Sequence, residues 1–328
     1  MNKKILIGTA IAIVLVLAGS GGYFWLMAKK PVEKINAVTP PVSGGAASKI
    51  VAYVGYSTAQ PFWVTLGADI KAEADRKGLK FVDLTPQTLD PQEQKRLLDV
   101  AVNSEINGII LGGGGDPTVL KQGLDKALAL GIPVITVDTE IDHPAVKGFI
   151  ATDNFAGAVL AGDYIVKATG GKGTVLILGG TLNHPNGDAR RDGVKQEVEK
   201  AGMKVIYRQA DFAEQEAYQD TEEELSKPND ISAIFAAWDP GILAADKVVQ
   251  QKKLQGKIIM SGFDGLQPNL IAIKAGDISS DLAQPIEQIG TKGVDMIVDL
   301  LAGKQVPKTT LIPGFLITKD NVDNYLNK

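Results

Sequence analysis

Two carboxylates stand where apolar runs end: Asp138 closes VITV, and Asp264 lies in IIMSGFDG. A carboxylate at a strand end either caps a helix or accepts hydrogen bonds from a ligand's hydroxyls, and the repeated placement favours the second use. The two lie in separate units, and nothing pairs them as acid and base. In KIVAYVGYSTAQPFW, residues 49–63, the adjacent aromatics Phe62 and Trp63 follow Pro61. At least one is expected in the core, and a ring left over would cover a ligand's C–H surface. The two histidines, His143 and His184, are far apart and each precedes a proline, so neither H-x-x-x-H nor a Ser-His-Asp set is available. With no cysteine in the chain, thiolate metal sites, disulfides and a lipid-modified cysteine are excluded. No catalytic residue, metal site or cofactor is expected. The run GGGGDP at 112–117 lacks both the spaced G-x-G-x-x-G and a P-loop lysine and serine, and reads as a turn into a helix. Gly179-Gly180 reads equally as a turn or as a place where a ligand nears the backbone.

The elements that must hold these residues follow from hydrophobic period. Strand-like runs fall at 49–55, 81–84, 108–111, 133–137, 148–151, 174–178, 205–208, 233–236 and 257–260. Helical candidates alternate with them at 66–77, 92–103, 118–130, 156–168, 194–201, 215–226 and 242–251. This βα alternation predicts an α/β protein of two doubly wound parallel-sheet lobes with a cleft between them, the second β-first unit beginning near 174 after Gly170-Gly171-Lys172-Gly173. A chain of 328 residues, 45% hydrophobic and with a formal charge of −4, has the length and composition of two soluble domains and is not basic enough for a nucleic-acid partner. Ahead of the lobes, residues 1–30 read as a signal peptide or membrane anchor. Lysines precede an apolar run at 5–27, and Tyr23-Phe24-Trp25 with Lys29-Lys30 favours an uncleaved anchor over cleavage near Ala18-Gly19-Ser20. Residues 31–48, rich in proline, glycine and alanine, read as a linker.

In order, KIVAYVGYSTAQPFW, PVITVD, ATDNFAGAVLAGDYI, AIFAAWD, SGFDG and LAQPIEQIGTKGVD give the chain from residue 49 onward a resemblance to periplasmic sugar-binding proteins of the ribose and galactose type. The resemblance implies two lobes joined by a three-crossing hinge, 49–152 with 285–314 and 153–284 with 315–328, closing over a monosaccharide. It places Gln60, Phe62 and Trp63 at the first-lobe rim, with Asp138, Phe212, Trp238, Asp239, Asp264 and Gln284 around the ligand. His184, Asn186 and Arg190 in NHPNGDAR match a ligand-binding loop, with Arg191 and Asp188 as alternatives to Arg190. Two positions depart from the ribose pattern: Thr139 stands where an arginine follows the strand-end aspartate, and Trp238 where an asparagine reads hydroxyls. A pocket with one more aromatic and one fewer arginine implies a ligand with more apolar surface, or fewer hydroxyls, than ribose.

The same resemblance implies a monomer that delivers a monosaccharide or related polyhydroxylated molecule to an ABC permease, outside the cytoplasm. An anchored sensor presenting its closed form to a receptor or kinase is the alternative. An exported enzyme is opposed by the lack of a nucleophile, metal or acid-base set. A repressor of this fold is opposed by the apolar segment that occupies the place of a helix-turn-helix domain.

Overall fold

In a computed structural model, residues 48–113 and 117–326 are described. The expected anchor and linker, and Gly114 to Asp116 of the glycine run, lie outside them. Twelve strands among the described residues form two six-stranded sheets. In the first sheet the order is β2 (Lys80–Asp83), β1 (Ile50–Val54), β3 (Gly108–Gly112), β4 (Val134–Val137), β5 (Val146–Thr152) and β11 (Thr309–Ile312), all parallel. The second runs β7 (Lys204–Gln209), β6 (Thr174–Gly179), β8 (Ile231–Ala236), β9 (Ile259–Asp264), β10 (Ser280–Ala283) and β12 (Phe315–Thr318), with only β12 antiparallel. The central strands β3 and β4 are buried at every position, as expected of parallel strands covered on both faces, whereas the edge strand β2 is partly open.

Helices cover those faces. On the first sheet, α1 (Pro61–Arg76) and α9 (Ile286–Leu301) bury Leu66, Ile70, Ile289 and Ile297 against Val51, Ile110 and Ile135. On its other face α2 (Pro91–Val102) and α3 (Pro117–Ala129) bury Leu98, Leu120 and Leu124. On the second sheet α4 (Asn154–Thr169) packs on α5 (Pro185–Lys200), and α6 (Glu214–Ser226) packs on α7 (Asp239–Gln251). The short α8 (Gln267–Ala275) follows β9. The chain passes between sheets three times: from β5 into α4, whose first turn Asp153 caps through Ala156 N–H at 3.1 Å, from β10 into α9, and from β11 into β12.

Both sheets therefore present their carboxyl ends where ligands of open α/β sheets gather. A buried Gln94 ties two of those ends together, its Nε2 donating to Gly55 O at 3.2 Å and Gly112 O at 2.6 Å.

Candidate functional site

A cavity of about 190 Å³ lies at the carboxyl ends of both sheets. An apolar site of about 150 Å³ admits one benzene-sized ring, so this space suits a single substituted ring and not a chain of them. The first sheet sends in Tyr56, Gln60, Pro61, Phe62 and Trp63 after β1, Leu89 after β2 and Asp138 after β4. From the second come Thr181 and His184 after β6, Asn186 and Arg190 on α5, Asp211 and Phe212 after β7, Trp238 and Pro240 after β8, Asp264 and Leu266 at the end of β9, and Gln284 after β10.

The aromatic wall is built from edge-to-face contacts. Trp63 meets Phe62 at 5.1 Å and Tyr56 at 6.2 Å; Phe212 meets His184 at 5.4 Å and Trp238 at 5.6 Å. Trp63 can lie this deep because its neighbour is glycine, since a Cβ on Gly112 would stand 2.7 Å from the indole ring. Its Nε1 donates to Gln60 Oε1 at 3.1 Å.

The polar groups bridge the two sheets. Asn186 Nδ2 donates to Asp138 Oδ2 at 2.9 Å and to the Asp138 carbonyl at 3.1 Å, and Thr139 Oγ1 donates to the same carboxylate at 2.8 Å. Thr152 Oγ1 donates to Gln284 Oε1 at 2.6 Å, and Gln284 Nε2 donates to Asp264 Oδ1 at 2.7 Å. Arg190 Nη1 donates to the Ala237 carbonyl and Nε to Asn154 Oδ1, both at 2.8 Å. Its guanidinium lies 4.0 Å over the Phe263 ring and 3.5 Å from Asp264 Oδ1. Among the described residues, four of the six non-glycine residues with positive φ line the cavity: Asp138 at 68°, Asp211 at 48°, Phe212 at 55° and Asp264 at 142°. Such conformations cost about 1–3 kcal/mol each and cluster where the surroundings hold a functional group in place.

Burial sets the protonation. It pushes the Asp264 carboxyl up to about 7 against the pull of Arg190 and Gln284, and raises Asp138 against Arg190 and Thr139. The imidazole of His184 is pushed down by burial, with Asp138 opposing, and the Arg190 guanidinium also falls through burial, with Asp264 opposing. At neutral pH the cavity thus holds a neutral imidazole, one guanidinium, and carboxyls that can accept from hydroxyls. Two buried polar atoms of the wall, His184 Nδ1 and Trp238 Nε1, have no hydrogen-bond partner. Among the described residues no group of three or more His, Cys, Asp or Glu side chains has the arrangement to hold a metal ion.

Residues 51–305 match the periplasmic binding protein domain. The chain belongs to the periplasmic binding protein family. It is 31% identical over 287 residues to the ribose import binding protein RbsB of Haemophilus influenzae, covering 84% of this chain and 96% of that one. It is 30% identical over 288 residues to the D-apiose import binding protein of Paraburkholderia graminis, with 84% and 89% covered. Among solved structures it is similar to an ABC transporter solute-binding protein of Agrobacterium vitis bound to α-D-tagatopyranose, with a TM-score of 0.79, 26% identity, and 85% and 97% of the chains covered. The two-sheet architecture is that of type I periplasmic binding proteins, a family of exported substrate-binding proteins.

Of the site residues expected for this family, Gln60, Phe62, Trp63, Asp138, His184, Asn186, Arg190, Phe212, Trp238, Asp264 and Gln284 come together on one cavity. Asp239 does not, which corrects its expected place on the wall. Its carboxylate is 1% exposed and accepts from Leu266 N–H at 2.6 Å and Asn269 Nδ2 at 2.7 Å. A second correction concerns the NHPNGDAR segment, which is not a loop. Pro185 opens α5, nine residues before the expected helix start at Val194, and Asn186 and Arg190 project from its first turns. The alternatives to Arg190 fall away, because Arg191 is held outside by Asp188 at 2.6 Å and Asp192 at 2.7 Å.

Tyr56, Pro61, Leu89, Thr181, Asp211, Pro240 and Leu266 also line the cavity and were not expected there. Tyr56 and Pro61 lie inside a motif that carried the resemblance, Pro240 and Leu266 directly follow one, and Asp211 adjoins Phe212, so adjacency was a usable signal; Leu89, in an irregular stretch before α2, offered none. His143 takes a structural part, its Nδ1 accepting from Ala145 N–H and its Nε2 lying 3.1 Å from Asp125.

Proposed function

We propose that this protein captures a monosaccharide or related polyhydroxylated molecule by closure of two lobes, 49–152 with 285–314 and 153–284 with 315–328, and delivers it to an ABC permease. It is a monomer without enzymatic activity, exported and held at the outer face of the cytoplasmic membrane by residues 5–27. One observation carries the reading: a one-ring cavity at the carboxyl edges of both sheets, where aromatic planes face carboxylates, amides and a guanidinium from both sides. Hydroxyls both donate and accept, so such groups satisfy a sugar's rim while its C–H face lies on the rings. A hydroxyl missing from the ligand leaves a buried partner unpaired, at about 1–3 kcal/mol per group, which is the source of specificity. Micromolar binding requires only about −8 kcal/mol, within reach of a few charge-assisted bonds and two stacked rings after ordering costs. The relatives import ribose and apiose, and a neighbouring structure holds tagatose, which supports a sugar as the class. Trp238 and Thr139 in place of more polar readers favour a member with an apolar edge, such as a deoxysugar.

A thermal-shift panel of pentoses, hexoses, deoxysugars and polyols tests this. A ligand at a hundredfold excess over its Kd stabilises the folded state by about 2.7 kcal/mol, so one sugar class should raise Tm by several degrees. A panel in which nucleotides or amino acids shift Tm and no sugar does would overturn the reading.

A further inference from the structure

Behind the cavity wall two buried carboxyls grip the chain just after Asp264. Asp239, the first residue of α7, is 1% exposed, and Asp281, within β10, is fully buried. The Leu266 amide donates to Asp239 Oδ2 at 2.6 Å, and the Gly265 amide to Asp281 Oδ1 at 3.2 Å. Both hydrogens of the Asn269 amide are also taken, Nδ2 donating to Asp239 Oδ1 and to Asp281 Oδ2, while Asn269 Oδ1 has no partner. The clamped turn is conformationally demanding. Asp264 has φ 142° and Gly265 φ 81°, and a Cβ at Gly265 would stand 2.5 Å from the Ala283 Cβ. Without its clamps the turn would relax, carrying with it the Asp264 carboxyl and Leu266, both on the cavity wall.

A single Asn269 Nδ2 donates to one oxygen of each carboxyl, so the two carboxyls are drawn together around one amide. No salt bridge reaches either one among the described residues. From α5, Arg190 faces the pair across Asp264, which takes the ion pair at 3.5 Å; β9 contributes Asp264 itself, α8 the neutral Asn269, and β12 the apolar Ile317 opposite Asp281. Two charges in that environment would lack compensation, and a shared proton removes one of them.

We propose that Asp239 and Asp281 hold one proton between them and, in that state, act as positioning residues that fix the 264–266 turn and so aim Asp264 and Leu266 at the ligand. Burial and the neighbouring carboxylates raise Asp239, and burial raises Asp281, so the pair holds its proton above the ordinary carboxylate range and gives it up only as pH rises further. Ligand affinity then falls as pH rises, because two adjacent carboxylates repel and release the turn. The clamp itself stands on geometry alone; its effect on affinity rests on the sugar-binding reading.

Hydrogen exchange on the ligand-free full chain separates the two. From about pH 5 to about pH 9, after correction for intrinsic rates, the protection of Gly265 and Leu266 should fall about tenfold or more in the parent while amides of β8 keep theirs. Asp281→Asn supplies an amide N–H in place of the shared proton at the cost of one acceptor oxygen, so protection should start lower than in the parent but be independent of pH. Asp239→Asn does the same from the other side if the first variant folds poorly. The proposal is overturned if protection of the turn is flat in the parent, if it falls together with that of β8, or if both variants keep the parent's pH course. In a parallel arm, the affinity for whichever of D-ribose, D-allose and D-tagatose binds should drop about tenfold over the same range in the parent and stay level in Asp281→Asn. If none of the three binds, the affinity arm passes to the sugar that gives the largest thermal shift in the panel, and the exchange data decide the clamp by themselves.

Discussion

Asp264 is the side chain on which the cavity's chemistry converges, since it touches Arg190 and Gln284 and receives the Asp239 amide at 3.4 Å. Its raised proton affinity makes a stability prediction with a definite sign. The native state binds this proton up to about pH 7 while the unfolded chain releases it near 3.8, so its contribution to stability is fully present below 3.8 and is lost as pH rises through 7. Asp264→Asn removes that dependence. In ligand-free melts from about pH 4 to about pH 8, the variant should gain on the parent by about 2–4 kcal/mol at the alkaline end, as expected for a shift of a few pH units. Parallel pH profiles would show that the carboxyl is not desolvated. Trp63, by contrast, is a poor site for a truncation test. Its ring is part of the core, and Trp63→Ala should cost about 3–5 kcal/mol of stability besides any stacking on a ligand.

Elements position these residues, and here the sequence was legible in proportion to its hydrophobic period. The strands ending at Val54, Val137 and Ala236 were visible as apolar runs and the start of β9 as the run 257–260; strand ends pointed to Trp63, Asp138 and Asp264, and the resemblance added Trp238. The first half of α5 was not, because its inward face is Asn186, Gly187, Arg190 and Gly193, a helical stripe of polar and small residues that hydropathy cannot see. Elements after residue 260 also went unassigned: α8 is short, β10 and β11 have four residues each, and β10 carries a buried aspartate, whereas the long α9, with Ile289, Val294 and Ile297 on its buried face, had a legible period that went unread. Asp239 shows the limit of reading by adjacency, since one position separates a wall residue from a residue behind the wall. The small residues of α5 carry a prediction of their own. A Cβ on Gly193 would lie 2.7 Å from both the Phe155 carbonyl and the Ala158 Cβ of α4. Gly193→Ala should therefore force the helices apart, costing about 1–3 kcal/mol in chemical denaturation. An unchanged midpoint would mean that this contact is loosely packed.

At the scale of the whole molecule, the polar bonds that span the two sheets, Asn186 to Asp138 and Gln284 to Thr152, belong to a closed arrangement around the cavity. If the lobes turn about the three crossings near Thr152-Asp153, Gln284-Pro285 and Pro313-Gly314, a bound sugar should hold them shut and the free protein should sample wider states. Small-angle scattering should then give a smaller radius of gyration at saturation than without ligand, and identical values would exclude a hinge of this kind. Among the described residues no helix is long and apolar enough to cross a membrane; the expected anchor at 5–27 lies outside them.

Calorimetric titration of the sugar that gives the largest thermal shift, into the parent and into Asp264→Ala, asks most directly whether the cavity reads hydroxyls through its strand-end carboxyls. Removing the carboxyl leaves a ligand hydroxyl, Gln284 and Arg190 without their shared acceptor, so the parent should bind one equivalent and the variant at least about a hundredfold more weakly, as expected when one buried charged partner is lost. Binding of equal strength to both proteins would contradict the assignment of Asp264 and, with it, the case for a sugar site that rests on the geometry of this cavity.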